Sequence, residues 1–303
     1  MSAELPPAAS SLREAGFGGE ILAEEPLARY TTWRIGGPAE ILVDPVDRDD
    51  LLLCVGWARS EGIPWRVLGN GSNLLVRDEG VRGVVLRSRR ALDRVEVEGF
   101  VVRAGGGASL PLVANLAASR GLSGLEFGAG IPGTVGGAIV MNAGWHEHEI
   151  GPRVREVEFL DSEGRVAVLP RETCAFGYRR SALRGRIGVV LGAVLALSPD
   201  DPAAVRARLE AYAAARRKNQ PTELPSCGSV FLKPEGDFAG RLIEEAGLKG
   251  ARIGDAQVSP KHANFFVNLG RATAADALAL LERVETEVEA RFGVRLTREV
   301  EIW

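Results

Sequence analysis

The sequence predicts an α+β protein of two parts, a strand-rich first part and a C-terminal part with a long helix. The chain has 303 residues, and at roughly 150 residues per domain this length suggests two domains. A strand–helix–strand pattern opens the chain, and short alternating strands fill its middle. Hydrophobic residues make up 46% and charged residues 25%, which supplies a core and argues against long disorder.

Charge and cysteine usage exclude several classes of protein. The 37 basic and 40 acidic residues give a net charge of −3, which argues against a nucleic-acid binder. No apolar run reaches the length of a membrane span, and Met1–Pro26 lacks the pattern of a signal peptide. The cysteines Cys54, Cys174 and Cys227 are odd in number and far apart. A reduced, cytoplasmic location is therefore expected.

The first elements form a β-α-β unit after a loose lead-in that reaches about Pro26. Predicted strands cover 39–43, 65–68 and 84–86. Asp47 or Asp49 caps the helix between the first two strands, and Gly62 ends it before Pro64. The strands at 65–68 and 84–86 are expected to pair in parallel.

The middle of the chain is expected to consist mainly of strands. A hairpin is predicted at 95–97 and 100–103, and further strands at 154–160, 165–169 and 189–196. Between them, Ser109 is expected to cap a helix that stops at Gly121.

A helix that begins at Asp201-Pro202 connects to the C-terminal part and ends before Pro221. Beyond it the pattern predicts a helix at 238–246 and strands at 256–258 and 264–268. A long helix follows, with Thr273 and Asp276 as its capping box and Gly293 at its end. Its predicted buried stripe is Leu278, Leu281, Val284, Val288 and Phe292.

Glycine is the compositional outlier, with 37 residues in the chain, and 11 of them fall between Gly105 and Gly144. Residues 128–133 match the GxGxxG pattern, but a Rossmann site needs a preceding strand and an uninterrupted following helix. Pro132 and Gly136-Gly137 are expected to interrupt that helix. We therefore predict a folded glycine loop whose backbone N–H groups approach a pyrophosphate, with tight turns between strands as the alternative.

Two further loops also combine glycines with polar residues that suit ligand binding. Gly69-Asn-Gly-Ser-Asn73 follows a predicted strand, and is either a ligand loop or a plain β-turn. Thr32-Trp-Arg-Ile-Gly36-Gly37 adds hydroxyl, guanidinium and glycine groups. Three such loops, all N-terminal to Ala143, suggest one extended dinucleotide held by backbone.

Four polar clusters remain open on the residues alone. His146 and His148 can bind a metal or belong to a solvated loop, and no metal site is predicted because His262 is far away in sequence. Ser229 and Cys227 are possible nucleophiles outside any GxSxG pattern. Ser229 can instead donate a proton or lie in a turn before a buried strand. The basic cluster at 177–181 can bind a carboxylate or a diphosphate, or it is a run of surface charge. The acidic residues Glu299 and Glu301 are expected to share one face of a C-terminal strand.

Seven segments, in this order, resemble the UDP-N-acetylenolpyruvoylglucosamine reductase (MurB) family, shorter class. They are TTWRIGGPAE, LGNGSNLLVRDEGVRG, GAGIPGTVGGAIVMNAG, FGYRRS, PSCGSVFLKP, QVSPKHANFFVN and LTREVEI. The resemblance implies an FAD-binding domain of the p-cresol methylhydroxylase/vanillyl-alcohol oxidase type and a C-terminal α+β substrate domain. The expected boundaries are 1–26 for the lead-in, 27–200 for the FAD domain with lobes at about 27–90 and 91–200, and 201–303 for the substrate domain.

The resemblance also implies an activity. It is the NADPH-dependent reduction of UDP-N-acetyl-3-O-(1-carboxyvinyl)-glucosamine to UDP-N-acetylmuramate, a cytoplasmic step of peptidoglycan synthesis with hydride from N5 of reduced FAD. Ser72-Asn73 stand where relatives with covalently attached flavin carry histidine, so FAD is expected to be noncovalent. No nucleic acid, membrane or obligate protein partner is expected. A flavin-dependent sugar or alcohol oxidase of the same fold and a non-catalytic nucleotide-binding protein are the alternatives.

Site residues follow from the resemblance, position by position. The catalytic residues implied are Arg179, Ser229 as proton donor, and Glu299. The cofactor-binding residues implied are Thr32, Arg34, Gly36, Gly69, Asn70, Gly71, Ser72, Asn73, Gly130, Ile131, Pro132, Gly133, Thr134, Gly136, Gly137 and Asn142. The substrate-binding residues implied are Tyr178, Arg179, Lys233 and His262. After Gly144 the family usually continues with a small residue and tyrosine, where this chain has Trp145-His146.

Overall fold

The structure is a computed structural model that describes residues 7–303. The helices are α1 Pro7–Glu14, α2 Arg48–Ser60, α3 Leu110–Ser119, α4 Val135–Met141, α5 Pro202–Asn219, α6 Ala239–Glu245 and α7 Ala274–Phe292. Short 3₁₀ helices cover Leu27–Tyr30, Glu126–Gly130, Gly151–Arg153 and Arg171–Cys174.

The strands are short and numerous. They are β1 Glu20–Pro26, β2 Pro38–Asp44, β3 Trp65–Leu68, β4 Leu74–Leu75, β5 Val81–Arg87, β6 Val95–Glu98, β7 Val101–Gly105, β8 Leu122–Ser123, β9 Gly144–Trp145, β10 His148–Glu149, β11 Val154–Asp161, β12 Val166–Pro170, β13 Gly188–Ala196, β14 Ser198–Pro199, β15 Ser226–Ser229, β16 Arg252–Ile253, β17 Ala256–Val258, β18 Phe265–Asn268 and β19 Glu301–Ile302. The mixture of helices and strands is that of the predicted α+β class.

The chain separates into two compact units that interleave in sequence. Unit 1 takes the residues up to Glu25 together with Ala39–Asn70 and Arg82–Ala214. Unit 2 takes Pro26–Pro38, Gly71–Val81 and Ala215–Trp303. Two short N-terminal segments thus fold with the C-terminal part of the chain. The expected boundaries at 27 and 201 remain a prediction.

The first sheet of unit 1 has the strand order β1-β2-β5-β3. The strands β3 and β5 pair in parallel, with Trp65 opposite Val84, as the β-α-β pattern predicted. The helix α2 joins β2 to β3, and the Asp47 side chain accepts a hydrogen bond from the backbone N–H of Asp50 at its start. One core of unit 1, which includes Leu51 and Leu86, packs around this sheet.

The second sheet of unit 1 has the order β12-β11-β13-β7-β6. Its neighbouring strands are antiparallel throughout, so the hairpins predicted for the middle of the chain are confirmed. A second core of unit 1, which includes Val113, Ile139 and Leu195, packs here with α3 and α4.

Unit 2 is built on the sheet β15-β18-β17-β16 and the long helix α7. The capping box of α7 forms as predicted, because Thr273 accepts from the backbone of Asp276 and Asp276 accepts from the backbone of Thr273. Gly293 ends the helix at φ +68°. Leu281, Val284 and Val288 are buried as expected, but the stripe also includes Ala277 and Leu280, and Leu278 and Phe292 are only partly buried.

Two predictions of local structure were wrong. Much of the lead-in is ordered, since α1 and β1 lie within it and Ala9 and Leu12 are buried in a core of unit 1; residues 1–6 of that stretch lie outside the described residues. The glycine pair Gly136-Gly137 does not interrupt a helix, because α4 runs through it. A Cβ at Gly136 would lie 2.9 Å from the carbonyl oxygen of Gly106, so glycine permits the packing that outweighs its low helix propensity.

Across the described residues, no helix combines the length and apolar character that a membrane span requires.

Candidate active site

Two of the glycine-containing loops lie against each other in unit 1. The side-chain amide of Asn70 donates a hydrogen bond to the carbonyl of Pro132 at 3.1 Å. A Cβ at Gly69 would lie 2.7 Å from Oγ1 of Thr134, closer than such atoms approach. Glycine at position 69 therefore allows the main chains of the two loops to meet.

The GxGxxG segment itself is a turn followed by a short capped helix. Residues Glu126–Gly130 form a 3₁₀ helix, and α4 starts after Thr134, whose hydroxyl accepts from the N–H of Gly137 at 3.2 Å. The N–H of Gly136 donates to the carbonyl of Gly106 at 2.8 Å. This is a folded glycine loop, as predicted, rather than the strand–turn–helix of a Rossmann site.

Arg179 and Asn142 lie in another part of unit 1. The side chain of Arg179 is 15% exposed, its Nη2 donates to the carbonyl of Gly144 at 2.7 Å, and it lies over the ring of Tyr178 at 5.1 Å from the centroid. Asn142 is buried at the end of α4, and its side chain makes hydrogen bonds to Glu149, Gly177 and Gly151.

In unit 2, the loop at 31–37 contacts both Gly71 of the second glycine loop, residues 69–73, and the strand β15. The hydroxyl of Thr32 donates to the carbonyl of Ser226 at 2.8 Å, and its N–H donates to the carbonyl of Gly71 at 3.2 Å. Gly71 has φ +57°, and a Cβ there would lie 2.5 Å from the carbonyl oxygen of Tyr30. Arg34 has φ +55°, and its carbonyl accepts from the side chain of Asn268 at 3.3 Å.

The predicted proton donor and the predicted catalytic glutamate also come together in unit 2. Ser229 ends β15, and the N–H of Glu299 donates to the carbonyl of the next residue, Val230, at 2.8 Å. The side chain of Asn73 donates to the carbonyl of Glu299 at 3.0 Å. The glycine loop at 69–73 thus contacts the segment just before β19, which carries Glu299.

Cys227 is not a plausible nucleophile in this setting. Its thiol is fully buried, and burial raises the pKa of the thiol well above its usual value, with a further contribution from the negative charge of Glu299. A thiol that stays protonated is a weak nucleophile. Of the two candidate reactive residues in β15, Cys227 and Ser229, only Ser229 remains a candidate.

Lys233 and His262, the two substrate contacts predicted in unit 2, have different neighbours. Lys233 lines a cavity of about 360 Å³ together with Glu235, Arg295 and Thr297, and its ammonium lies 4.4 Å from the ring centroid of Phe238. His262 packs edge-on against Phe265. Burial lowers the pKa of the His262 imidazole, and its Nδ1 accepts from the N–H of Asn264 at 3.2 Å.

A partly buried cation at the end of α5, Arg216, was missed by the sequence analysis. Burial alone lowers the pKa of the Arg216 guanidinium to about 10, and its Nε has no hydrogen-bond partner. Oε1 of Gln220, one helical turn on, is also buried and unpartnered. A buried guanidinium without a counter-charge suits an anionic ligand. The basic run at 216–218 was the available indication, but it also suits a solvated helix end.

The two histidines of the HxH motif lie in the hairpin β9–β10. His146 is in its turn at φ +55°, while His148 pairs with Trp145 and packs against Tyr212 and Phe127. Within residues 7–303 there is no group of three or more His, Cys, Asp or Glu side chains arranged to hold a metal ion.

Comparison with known proteins decides the family. Residues 220–303 match the model of the UDP-N-acetylenolpyruvoylglucosamine reductase C-terminal domain, and residues 39–169 match the model of an FAD binding domain. The chain is 51% identical over 285 residues to UDP-N-acetylenolpyruvoylglucosamine reductase 2 of Symbiobacterium thermophilum, which covers 94% of this chain and 92% of the relative. This chain belongs to the UDP-N-acetylenolpyruvoylglucosamine reductase family.

Solved structures agree with membership of the reductase family. The crystal structure of the reductase from Thermus caldophilus matches with a TM-score of 0.80 and 40% identity, over 94% of this chain and 98% of that one. A structure of alkyldihydroxyacetonephosphate synthase matches with a TM-score of 0.50 and 15% identity, over 65% of this chain and 41% of that one, which bears on the fold alone. The predicted fold class, with its FAD-binding domain and C-terminal α+β domain, is confirmed.

The glycine loops of this reductase family member fit a dinucleotide. At Gly69 and Gly71 a Cβ would meet Thr134 or the Tyr30 carbonyl, so main chain rather than side chain forms these surfaces. Exposed main-chain N–H groups without a Cβ nearby are suited to phosphate oxygens. The unpartnered Nε of Arg216 adds a site for negative charge. The individual FAD and substrate contacts stay predictions.

Proposed function

We propose that this protein is the NADPH-dependent flavoenzyme that reduces UDP-N-acetyl-3-O-(1-carboxyvinyl)-glucosamine to UDP-N-acetylmuramate in peptidoglycan synthesis. The observation that carries the proposal is the 51% identity to a named reductase over 94% of the chain. The FAD binding domain at 39–169 supplies the cofactor that this reduction requires.

FAD is proposed to bind noncovalently along the glycine loops. The residues proposed for it are the main chain at Gly69–Asn73 and at Gly130–Gly137, together with Thr32, Arg34 and Gly36. When bound there, FAD would supply hydride chemistry, carrying two electrons from NADPH to the vinyl group of the substrate.

Arg179 is proposed to stabilise the negative charge that develops on the substrate. Addition of hydride to the terminal vinyl carbon forms a C–H bond, breaks the π bond of the C=C group and leaves enolate character at the adjacent carbon and its carboxylate. A fixed guanidinium directed at that charge needs little reorganisation during the reaction, and such electrostatic terms are often the largest in catalysis. The two contacts of Arg179 with Gly144 and Glu149 support a fixed orientation.

Ser229 is proposed to complete the reaction. Its hydroxyl donates a proton to the adjacent carbon, which converts the enolate into the saturated lactyl ether of the product. Serine is a weak acid, so this transfer suits a strongly basic enolate. Glu299 lies beside Val230 through a backbone hydrogen bond, and we propose that its carboxylate helps to hold the developing enol.

The proposal also covers the residues that bind the substrate and the cellular location of the protein. Tyr178, Lys233 and His262 are proposed to contact the UDP-sugar, and the unpaired cation of Arg216 suits a diphosphate, which both FAD and the UDP-sugar carry. All three cysteines are buried and unpaired, which supports a cytoplasmic location.

An anaerobic two-step assay tests the proposed function. NADPH added to the FAD-loaded protein should bleach the flavin absorbance, and the enolpyruvyl substrate added next should restore it. Bleaching without recovery would refute the proposal. Rapid recovery with oxygen, together with reduction by a sugar or an alcohol instead of NADPH, would indicate an oxidase of the same fold.

A further inference from the structure

The backbone of Arg179 adopts a conformation that a non-glycine residue rarely takes. Its φ is +51°, in the left-handed region, where a Cβ carries a steric cost. Such a conformation persists only where the surrounding structure enforces it, and it concentrates at functional sites. The side chain ends in a largely buried guanidinium, 15% exposed.

Two acceptors fix that guanidinium. Nη2 donates to the carbonyl of Gly144 at 2.7 Å, and Nη1 faces Oε1 of Glu149 at 3.4 Å. Gly144 and Glu149 are cross-strand partners in the β9–β10 hairpin. A Cβ at Gly144 would lie 2.1 Å from the carbonyl oxygen of His148, so glycine is needed for the two strands to approach.

Glu149 is itself held by a buried residue. Its Oε2 accepts a hydrogen bond from Nδ2 of Asn142 at 2.7 Å. Asn142 is 1% exposed, and its orientation is set by two further bonds. Its Nδ2 also donates to the carbonyl of Gly177 at 2.8 Å, and its Oδ1 accepts from the N–H of Gly151 at 2.9 Å. The carboxylate of Glu149 thus has one oxygen on a rigid amide and the other on Arg179.

We propose that Glu149 is a positioning residue for the reduction, acting through Arg179. The planar guanidinium presents its N–H groups in a fixed fork, so two anchored edges determine where the rest of the fork points. An error of about 1 Å in the placement of a catalytic group can lower the rate about 100-fold. This inference rests on the proposed function of Arg179.

The neighbouring residues supply a matched control. Glu147 lies two positions earlier in the same hairpin, carries the same charge and is exposed. Glu147→Gln therefore removes one negative charge from the hairpin without touching the anchored carboxylate. Glu149→Gln keeps the size of the side chain but puts a donor NH₂ group in place of one carboxylate oxygen, so it cannot accept from both Asn142 and Arg179 at the positions that Oε1 and Oε2 occupy.

The experiment measures both half-reactions by anaerobic stopped-flow for the FAD-loaded variants. Glu149→Gln should leave flavin reduction by NADPH within about twofold and slow its reoxidation by the enolpyruvyl substrate about 10-fold, and Glu149→Ala about 100-fold, within the range known when a positioning contact is lost. Glu147→Gln should change neither step. Equal losses in both steps, or no loss for either Glu149 variant, would overturn the inference.

A double-variant cycle separates positioning from a merely structural role. If Glu149 acts through Arg179, then Glu149→Gln should cause less than a further twofold loss in an Arg179→Ala background. A full additional loss there would refute the inference while leaving the proposed function intact. Failure of the wild-type protein to recover its flavin absorbance with substrate would instead refute the proposed function before any variant is compared.

Discussion

Asn73 joins the second glycine loop, residues 69–73, to the segment that carries Glu299 through two hydrogen bonds. Its Nδ2 donates to the carbonyl of Glu299 at 3.0 Å, and its own carbonyl accepts from the N–H of Glu301 at 3.0 Å. Immediately beyond, β4 and β19 pair in parallel, with Glu301 opposite Leu74. A loop proposed to hold the cofactor and a segment with a residue proposed for catalysis are therefore joined by hydrogen bonds, although 226 positions separate Asn73 from Glu299.

Replacement of Ser229 should affect one half-reaction only. Ser229→Ala should leave flavin reduction by NADPH nearly unchanged and slow reoxidation by the enolpyruvyl substrate by about 10²- to 10⁴-fold, the range typical of lost proton transfer. Anaerobic stopped-flow absorbance measures both steps. Ser226→Ala, at the other end of β15, is the control and should slow neither. Comparable losses in both steps for Ser229→Ala would contradict its role as proton donor.

Enlargement of Gly69 should weaken FAD retention. A Cβ there would lie 2.7 Å from Oγ1 and 3.3 Å from Cγ2 of Thr134, so Gly69→Ala should push the two glycine loops apart, at a cost of about 1–3 kcal/mol for overpacking. The ratio of flavin to protein absorbance after gel filtration measures retention. A second variant, Gly69→Ala with Thr134→Ala, removes both close atoms and should recover part of the flavin. A fully yellow Gly69→Ala protein would show that these loops do not hold FAD.

Replacement of Gly56 by alanine should stabilise the protein, in contrast to replacement of Gly69. It is exposed within α2, and a Cβ there would meet no atom within 4 Å. Gly56→Ala should therefore stabilise the protein by about 0.5–1 kcal/mol, since alanine favours the helix and restricts the unfolded chain. Urea unfolding measures the change. Flavin content and activity should stay those of the wild type, and a destabilised variant would be the contrary result.

Glu126 should contribute to acid sensitivity. Burial of its carboxyl opposes ionisation, but hydrogen bonds from its own N–H, from Gly124, from Ser123 and from Arg208 outweigh burial and hold the pKa of the carboxyl below its usual value. Because the folded-state pKa is depressed, the stabilisation is present above the unfolded-state pKa of about 4.3 and is lost as pH falls through the folded-state pKa.

The variant Glu126→Gln tests this pH dependence. At pH 7 it should lower the free energy of unfolding by about 1.5–3 kcal/mol, the usual value of hydrogen bonds to a charged group. The difference from the wild type should begin to shrink as pH falls below the unfolded-state pKa of about 4.3, and should continue to shrink as pH approaches the lower folded-state pKa of the carboxyl. Thermal midpoints measured from pH 3 to 8 give the comparison, and a difference that is constant over this range would refute the assignment.

Arg216 should couple stability to an anionic ligand. Its Nε is buried and has no hydrogen-bond partner, and within residues 7–303 no carboxylate forms an ion pair with its guanidinium. Arg216→Met should therefore reduce the rise in thermal midpoint that a diphosphate ligand causes, by mass action on the folded state. FAD and UDP, added separately to apoprotein, identify which ligand loses the effect. Unchanged shifts with both would exclude Arg216 from either site.

The sequence by itself determined most local elements of this protein and its family. The parallel pair β3–β5, the capping box at Thr273 and the end of α7 at Gly293 follow from alternation, capping chemistry and the freedom of glycine, which act over a few residues. The seven motifs pointed to the reductase family because their residue types and order are specific. They also nominated Arg179, Ser229 and Glu299, whose roles stay predictions.

Only the tertiary structure decided which distant groups meet. It placed residues 26–38 and 71–81 with the C-terminal unit, set Asn73 on the Glu299 segment, and joined Arg179 to Glu149 and Asn142. In the tertiary structure α4 also continues through Gly136 and Gly137, and Nε of Arg216 is buried without a partner. Long-range packing and burial set these features, and their energies depend on neighbours that no local window of sequence contains.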